Sequence, residues 1–183
     1  MRPSTRDTLI QSAITTLAAQ PGASLEDIAQ RAGVGRATLH RHFGSRDGLI
    51  HALTREAIAA TDRAMVDISR DTSATEILRA VIEAIVPLGD QYHFLTLEAA
   101  TKTDPEITAE IDRQLREMSE LVAAVKQEGT IATDVPDAWV VAALDALIYA
   151  AWTSAHEGWI ARRDAPGLVF RTIIGGLSAS DAG

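Results

Sequence analysis

Cysteine is missing from the 183 residues, which excludes disulfides, a thiol nucleophile and any thiolate metal site. Aromatic residues make up only 4% of a chain that is 46% apolar, so its core must be built from Ala, Leu, Ile and Val. Glycine and proline are sparse inside the long segments and no β-branched run alternates with polar residues, which argues for helix throughout. Lysine is almost unused (Lys102 and Lys126) while arginine is frequent, a bias that suggests a GC-rich bacterial genome. No apolar run approaches the ~20 residues that span a bilayer. The opening MRPSTRDTLIQSA has no signal-peptide apolar core. The expectation is a soluble cytoplasmic protein with no membrane contact. Neither a Gly-rich phosphate loop nor a G-x-S-x-G nucleophile motif is present, so no enzyme and no cofactor are expected.

Positive charge is also short: the formal net charge is −8. Its distribution is uneven. Residues 1–52 hold six Arg against four acids, plus three His, whereas residues 53–183 hold eleven Lys and Arg against twenty-one acids. An acidic body with a small basic head fits a protein that touches nucleic acid at one end only.

The head is organised around Ser24 to Phe43, SLEDIAQRAGVGRATLHRHF. Leu25, Ile28, Ala29 and Ala32 recur at helical spacing, Ser24 and Asp27 have capping-box positions, and Gly33 suits the left-handed residue that ends a helix. Val34 plugs the turn. A second helix then carries Arg36, Ala37, Thr38, His40, Arg41 and His42 around the buried candidates Leu39 and Phe43. With no acid before Asp47, this is a helix-turn-helix whose second helix suits a major groove. Two helices of an ordinary bundle are the plainer alternative, but a merely solvated helix mixes its signs.

These residues closely resemble the TetR family of bacterial transcriptional regulators. The resemblance runs through Ile28-Ala29, Ala32-Gly33-Val34-Gly35, Ala37-Thr38-Leu39-His40, His42-Phe43, Ser45-Arg46-Asp47 and Leu49-Ile50, and spans about residues 5 to 55. Gly35 departs from the usual Ser and loses a side-chain cap. Ala37 replaces a frequent Gly. His40 stands where Tyr is usual, which makes a phosphate or base contact weaker or pH-sensitive. Arg46 in place of Lys keeps the charge and gains a planar fork. The resemblance implies an all-α protein of about nine helices: a three-helix DNA-binding domain, residues 1–50, and a long helix leading into a ligand-binding and dimerisation bundle, residues 51–183. It also implies double-stranded operator DNA as partner and a homodimer formed through about 136–158 and 166–179.

The candidate DNA contacts are Ser24, Arg36, Ala37, Thr38, His40, Arg41, His42 and Arg46. Arg36 is the best reader of a base edge, since a bidentate Arg to guanine is the commonest specific contact. Ala37 and Thr38 can approach a thymine methyl or a phosphate. By resemblance, Thr38, His40, His42 and Arg46 meet mostly phosphates. Arg2 and Arg6 either meet phosphates or stay solvated. A metal site from His40, His42, Asp47 and His51 is not expected, because residues two apart on a helix point in different directions.

Elsewhere, helices are expected over 4–19, 45–70, 74–86, 91–100, from Asp104-Pro105 to Gly129, 136–158 and 166–179. The helix beginning at Pro136 is apolar nearly all round, with Asp145 the only charge between Trp139 and His156. Such a helix is covered on two sides. Its two stripes are Val140, Ala143, Leu144, Leu147, Ala150 and Ala151, and Val141, Asp145, Tyr149, Trp152 and His156. The expected effector is small and largely apolar, with Tyr92, Phe94, Glu98, Met118, Trp139, Asp145, Tyr149 and Trp152 as candidate contacts and His93 and His156 as further polar groups. An isolated buried carboxylate is costly, so Asp145 is expected to have a partner: Arg171, a group of the dimer mate, water or the ligand. The expected mechanism is a repressor released from a palindromic operator by its ligand. A ligand- or protein-binding helical module without operator recognition is the alternative.

Overall fold

In the computed structural model, residues 5–92, 94–95 and 104–177 are described, residues 90 and 177 by backbone alone. Among the described residues there are nine α-helical segments and no strand: α1 Thr5–Ala19, α2 Leu25–Arg31, α3 Arg36–Phe43, α4 Arg46–Met65, α5 Ala74–Ile85, α6 Gly89–Tyr92, α7 Pro105–Gln127, α8 Asp137–His156 and α9 Ala165–Leu177. Short 3-10 turns lie at Val86–Leu88 and Arg162–Asp164. The chain packs as two compact units, Met1–Ala60 with Asp90–Glu110, and Thr61–Gly89 with Ile111–Gly183. Compared with a functional division at residue 50, packing assigns residues 51–60 of α4 and the segment Asp90–Glu110 to the first unit.

In the first unit α1 buries Leu9, Ile10, Ala13, Ile14 and Leu17, one stripe of a 3.6-residue period. Ile28 and Ala29 of α2, Leu39 and Phe43 of α3, and Leu49, Ile50 and Leu53 of α4 are also buried. Each full-sized side chain among them contributes about 1.5–3 kcal/mol on leaving water. The Arg6 guanidinium lies 5.7 Å from the centre of the Phe43 ring. The turn between α2 and α3 is closed by Gly33, whose φ of +68° is costly for any residue with a Cβ, and by a bond from the Val34 N–H to the Ala29 carbonyl at 3.0 Å.

In the second unit one core joins Leu78 and Ile82 of α5, Val122 and Val125 of α7, Ile131 of the loop that follows, Val140, Leu144, Ile148 and Ala151 of α8, and Val169, Phe170 and Ile173 of α9. The Arg79 guanidinium covers the Phe170 ring at 3.8 Å. Glu128 crosses from the end of α7 to the start of α5. Its carboxylate accepts from the Ala74 N–H (2.5 Å), the Thr75 N–H (3.0 Å) and the Thr75 hydroxyl (2.8 Å). The two N–H groups are orphan donors of a helix start, and with the Thr75 hydroxyl, which acts most strongly, they hold the Glu128 carboxyl below its ordinary range. Lys126 closes the α7–α8 loop by donating to the Val135 carbonyl at 2.7 Å and to Asp137 at 2.5 Å.

Two expectations change, and a third is met only at its start among the described residues. The long fourth helix stops at Met65, not near 70, and tightens into i→i+3 bonds from Val66 to Arg63 and from Ile68 to Met65. Ser69 there takes the Asp71 N–H, the kind of local side-chain bond that competes with helix. The helix expected over 91–100 is represented by α6, which ends at Tyr92; residues 93 and 96–100 lie outside the described residues. Finally, α8, with 20 residues, is long and apolar enough by composition to cross a membrane, which corrects the statement that no run approaches that length. Its Ala-rich sequence makes it apolar on every side. Here it packs most extensively on α9 and buries Val140, Leu144, Ile148 and Ala151.

Candidate functional site

Two places gather the expected site residues: the outer face of α3 and a cavity in the second unit. On α3, Arg36, Ala37, His40 and Arg41 are exposed and share one side, while Leu39 and Phe43 anchor the other. Thr38 and His42 are half-buried at the edges. Helical spacing of 36, 37, 40 and 41 accounts for the shared side. Gly35 caps α3 with no side-chain bond, and its carbonyl accepts from the Thr38 N–H at 2.9 Å.

Ser24 and Arg46, also expected there, are engaged within the head. The Ser24 hydroxyl donates to Asp27 Oδ2 at 2.7 Å and accepts from the Asp27 N–H at 3.2 Å, while the Ser24 N–H donates to the same carboxylate at 2.8 Å. This is a complete capping box for α2, and its hydroxyl bond is the main reason the Asp27 carboxyl sits below its ordinary range. Arg46 Nη1 donates to the Ala23 carbonyl at 2.6 Å and Nη2 to the Pro21 carbonyl at 3.3 Å. A planar fork can hold two carbonyls of one loop at once, which an ammonium does less well.

The cavity has a volume of about 290 Å³, near the lower end for small-ligand pockets. Its walls come from the end of α4 (Thr61, Asp62, Met65), the following turn (Arg70), Ile85 of α5, one side of α7 (Ile111, Gln114, Leu115, Glu117, Met118, Leu121) and one side of α8 (Val141, Leu144, Asp145, Ile148, Trp152). Among the expected ligand contacts, Met118, Asp145 and Trp152 meet here. Tyr92 and Phe94 are buried in the other unit. Trp139 and Tyr149 are 63% and 42% exposed and are not part of the cavity wall. His156 is exposed at the end of α8. Glu98 and His93, like Arg2, lie outside the described residues. Sequence reasoning missed Asp62, Arg70, Gln114 and Glu117, which no motif marks.

The polar groups of the cavity differ in state. Trp152 donates its indole N–H to the Val86 carbonyl at 2.6 Å, so its polar edge is occupied and it serves the cavity as an apolar wall. Gly89 permits this, since a Cβ there would overlap the indole. Asp62 accepts from Arg113 Nη2 at 2.8 and 3.0 Å and from Gln114 Nε2 at 2.9 Å. These donors outweigh partial desolvation and keep its carboxyl low. Arg113 also reaches Glu117 at 2.9 Å. Asp145 has no hydrogen-bond or ion-pair partner among the described residues, and its apolar surroundings push its carboxyl up. It keeps access to solvent, which removes the need for the partner expected of a buried carboxylate. Among the described residues, no cluster of three His, Cys, Asp or Glu could hold a metal ion.

A sequence model of the family described as bacterial regulatory proteins, tetR family, matches residues 12–53. The HTH-type transcriptional repressor LfrR of Mycolicibacterium smegmatis (strain ATCC 700084 / mc(2)155) is 31% identical over 159 residues, covering 86% of this chain and 82% of the relative. The chain belongs to the TetR family of bacterial transcriptional regulators. It is a DNA-binding regulator, and proteins of the TetR family bind operator DNA and act as dimers. The solved structure of LfrR from Mycobacterium smegmatis in complex with proflavine superposes with a TM-score of 0.77 at 27% identity, over 96% of this chain and 98% of that one. The ketosteroid transcriptional regulator KstR2 of Mycobacterium tuberculosis shares the fold, with a TM-score of 0.74 at 19% identity over 98% of both chains. The TetR match ends at residue 53, so it covers the helix-turn-helix and leaves the cavity to be read from its own chemistry.

Proposed function

We propose that this TetR-family chain is a ligand-released repressor that binds a palindromic operator as a homodimer, with residues 1–50 reading DNA and residues 51–183 binding effector and partner. The observation that carries the DNA reading is the exposed set Arg36, Ala37, His40 and Arg41 on one side of α3. Arg36 reads a base edge, Ala37 and Thr38 meet a thymine methyl or a phosphate, and His40, Arg41 and His42 face the backbone. Arg46 acts mainly by holding the loop before α2, and Ser24 by starting α2, with any phosphate contact secondary.

One recognition helix reads too few bases, whereas two reach half-sites ~34–36 Å apart. The self-contact is assigned to α8 and α9. Trp139, Ala142, Ala146, Tyr149 and Thr153 form an exposed stripe along α8 at three- and four-residue steps, and a Cβ at Gly175 or Gly176 of α9 would touch nothing else among the described residues. A second copy, rather than lipid, covers that apolar face, and the protein works in the cytoplasm. No catalytic role is assigned.

The effector is a small, flat, largely apolar cation. Asp145 supplies an unpartnered carboxylate in a cavity walled by Leu144, Ile148, Met118 and Trp152. The relative LfrR was solved with proflavine, a flat aromatic cation. The test is footprinting on DNA beside the protein's own gene across a salt series, then with proflavine. A protected inverted repeat whose affinity falls steeply with salt is expected, with protection lost on adding proflavine. Weak protection without sequence preference would favour the module without operator recognition.

A further inference from the structure

α4 is gripped at both of its ends. In its first turn Arg46 holds the carbonyls of Pro21 and Ala23, the loop that leads into the helix-turn-helix. In its last turn Asp62 is held by Arg113 and Gln114 of α7 through three hydrogen bonds of 2.8 to 3.0 Å. The helix between them is continuous from Arg46 to Met65 and begins three residues after α3 ends. Asp62 and Gln114 also belong to the cavity wall, whereas Arg113 stands behind it. The carboxylate that fastens α4 to α7 is therefore within reach of whatever fills the cavity.

We propose that Asp62 is the transmission residue of the effector site: a cation in the cavity competes with Arg113 for its carboxylate and so releases the last turn of α4. The proposal rests on the cavity being the effector site. Two carboxylates then have separate tasks. Asp145, without a partner, draws the cation in; Asp62, already paired, converts its presence into a change in α4. Asp62 and Arg113 are 44% and 34% exposed, and a pair so exposed has a small net worth, so a ligand can displace it. A fully buried pair could not be exchanged so readily. The competition supplies the differential affinity for two states that any allosteric effect requires.

The experiment measures proflavine affinity of the full-length protein, and operator affinity with and without saturating proflavine, for wild type, Arg113→Gln, Asp62→Asn and Glu120→Gln. Arg113→Gln removes the competitor without altering the wall. Proflavine should bind it at least threefold more tightly, yet the factor by which proflavine weakens operator binding should fall at least tenfold. Asp62→Asn should lose the same factor while binding proflavine more weakly. Opposite shifts in affinity with a shared loss of coupling are not produced by a merely structural bond. Glu120→Gln should keep the wild-type factor, because Glu120 is exposed on α7 and belongs neither to the cavity wall nor to the Asp62 pair. If proflavine binds wild type and releases operator but Arg113→Gln keeps full coupling, the latch is overturned and the effector reading stands. If proflavine does not bind wild type at all, both are overturned.

Discussion

α3 and α8 each turn one side outward, and the two sides could hardly differ more. That of α3 carries Arg36, His40 and Arg41 on a helix of eight residues. That of α8 carries Trp139, Ala142, Ala146 and Tyr149 on a helix of twenty. A cationic face left in water is cheap for a lone chain and ready for phosphate. A long apolar face in water is unfavourable until something covers it. The same geometric fact, an uncovered helix side, thus points to nucleic acid in one case and to a second protein surface in the other. Side-chain chemistry alone makes the difference.

The sharpest way to break this contrast is to charge the apolar side. Ala146→Glu should weaken self-association by several kcal/mol, because two like charges meet across a symmetric contact, and sedimentation should show monomer at micromolar concentration. Next, Leu39→Ala attacks the inner side of α3. It should cost about 2–5 kcal/mol in urea unfolding and remove operator binding with it, since the outer side depends on that anchor. Arg36→Ala leaves the anchor intact. It should cost about 1–3 kcal/mol at one operator position and relax preference there, measured by binding to a panel of single-base operator variants. Gly33→Ala forces a Cβ into left-handed backbone and should cost about 1–2 kcal/mol in thermal unfolding.

The smallest effects are those of pH, and two carboxyls of the second unit, Glu128 and Asp145, run in opposite directions. Glu128 has a folded value below its ordinary 4.5, so its contribution to stability is fully present above that value and is lost as pH falls through the folded one. Glu128→Gln should flatten that part of an acid titration followed by circular dichroism. Asp145 has a folded value above its ordinary 3.8, so its charged form is disfavoured. Cation affinity should therefore fall as pH drops through a range above 3.8, and Asp145→Asn should abolish that dependence in proflavine titrations.

The helix-turn-helix was legible because each device that builds it lies within about twenty adjacent residues. Ser24 and Asp27 cap each other, Gly33 turns the chain, and Leu39 and Phe43 are one helical turn apart. The missing side-chain cap at Gly35 was legible for the same reason. Arg46 was less so: its fork was noticed, but the carbonyls of Pro21 and Ala23 that it holds are more than twenty residues away. The cavity was legible only in part. Val141, Asp145 and Trp152 were placed on one stripe of α8 and do share the wall, but Tyr149 from the same stripe faces outward.

Composition and local pattern thus determined that this chain is helical, where it turns, and which short helix carries the charge for DNA. These are properties of neighbours in sequence, governed by capping, glycine and periodicity. Which side of α8 meets the core, which the cavity and which the solvent was decided only by tertiary packing, because a helix apolar on all sides carries no periodic signal to choose among them. The pairing of Asp62 with Arg113 and Gln114, about fifty residues apart in sequence, was decided there too. Charge type specifies that a carboxylate needs a donor; only the folded chain specifies which one, and so which of the three cavity carboxylates, Asp62, Glu117 and Asp145, is left open.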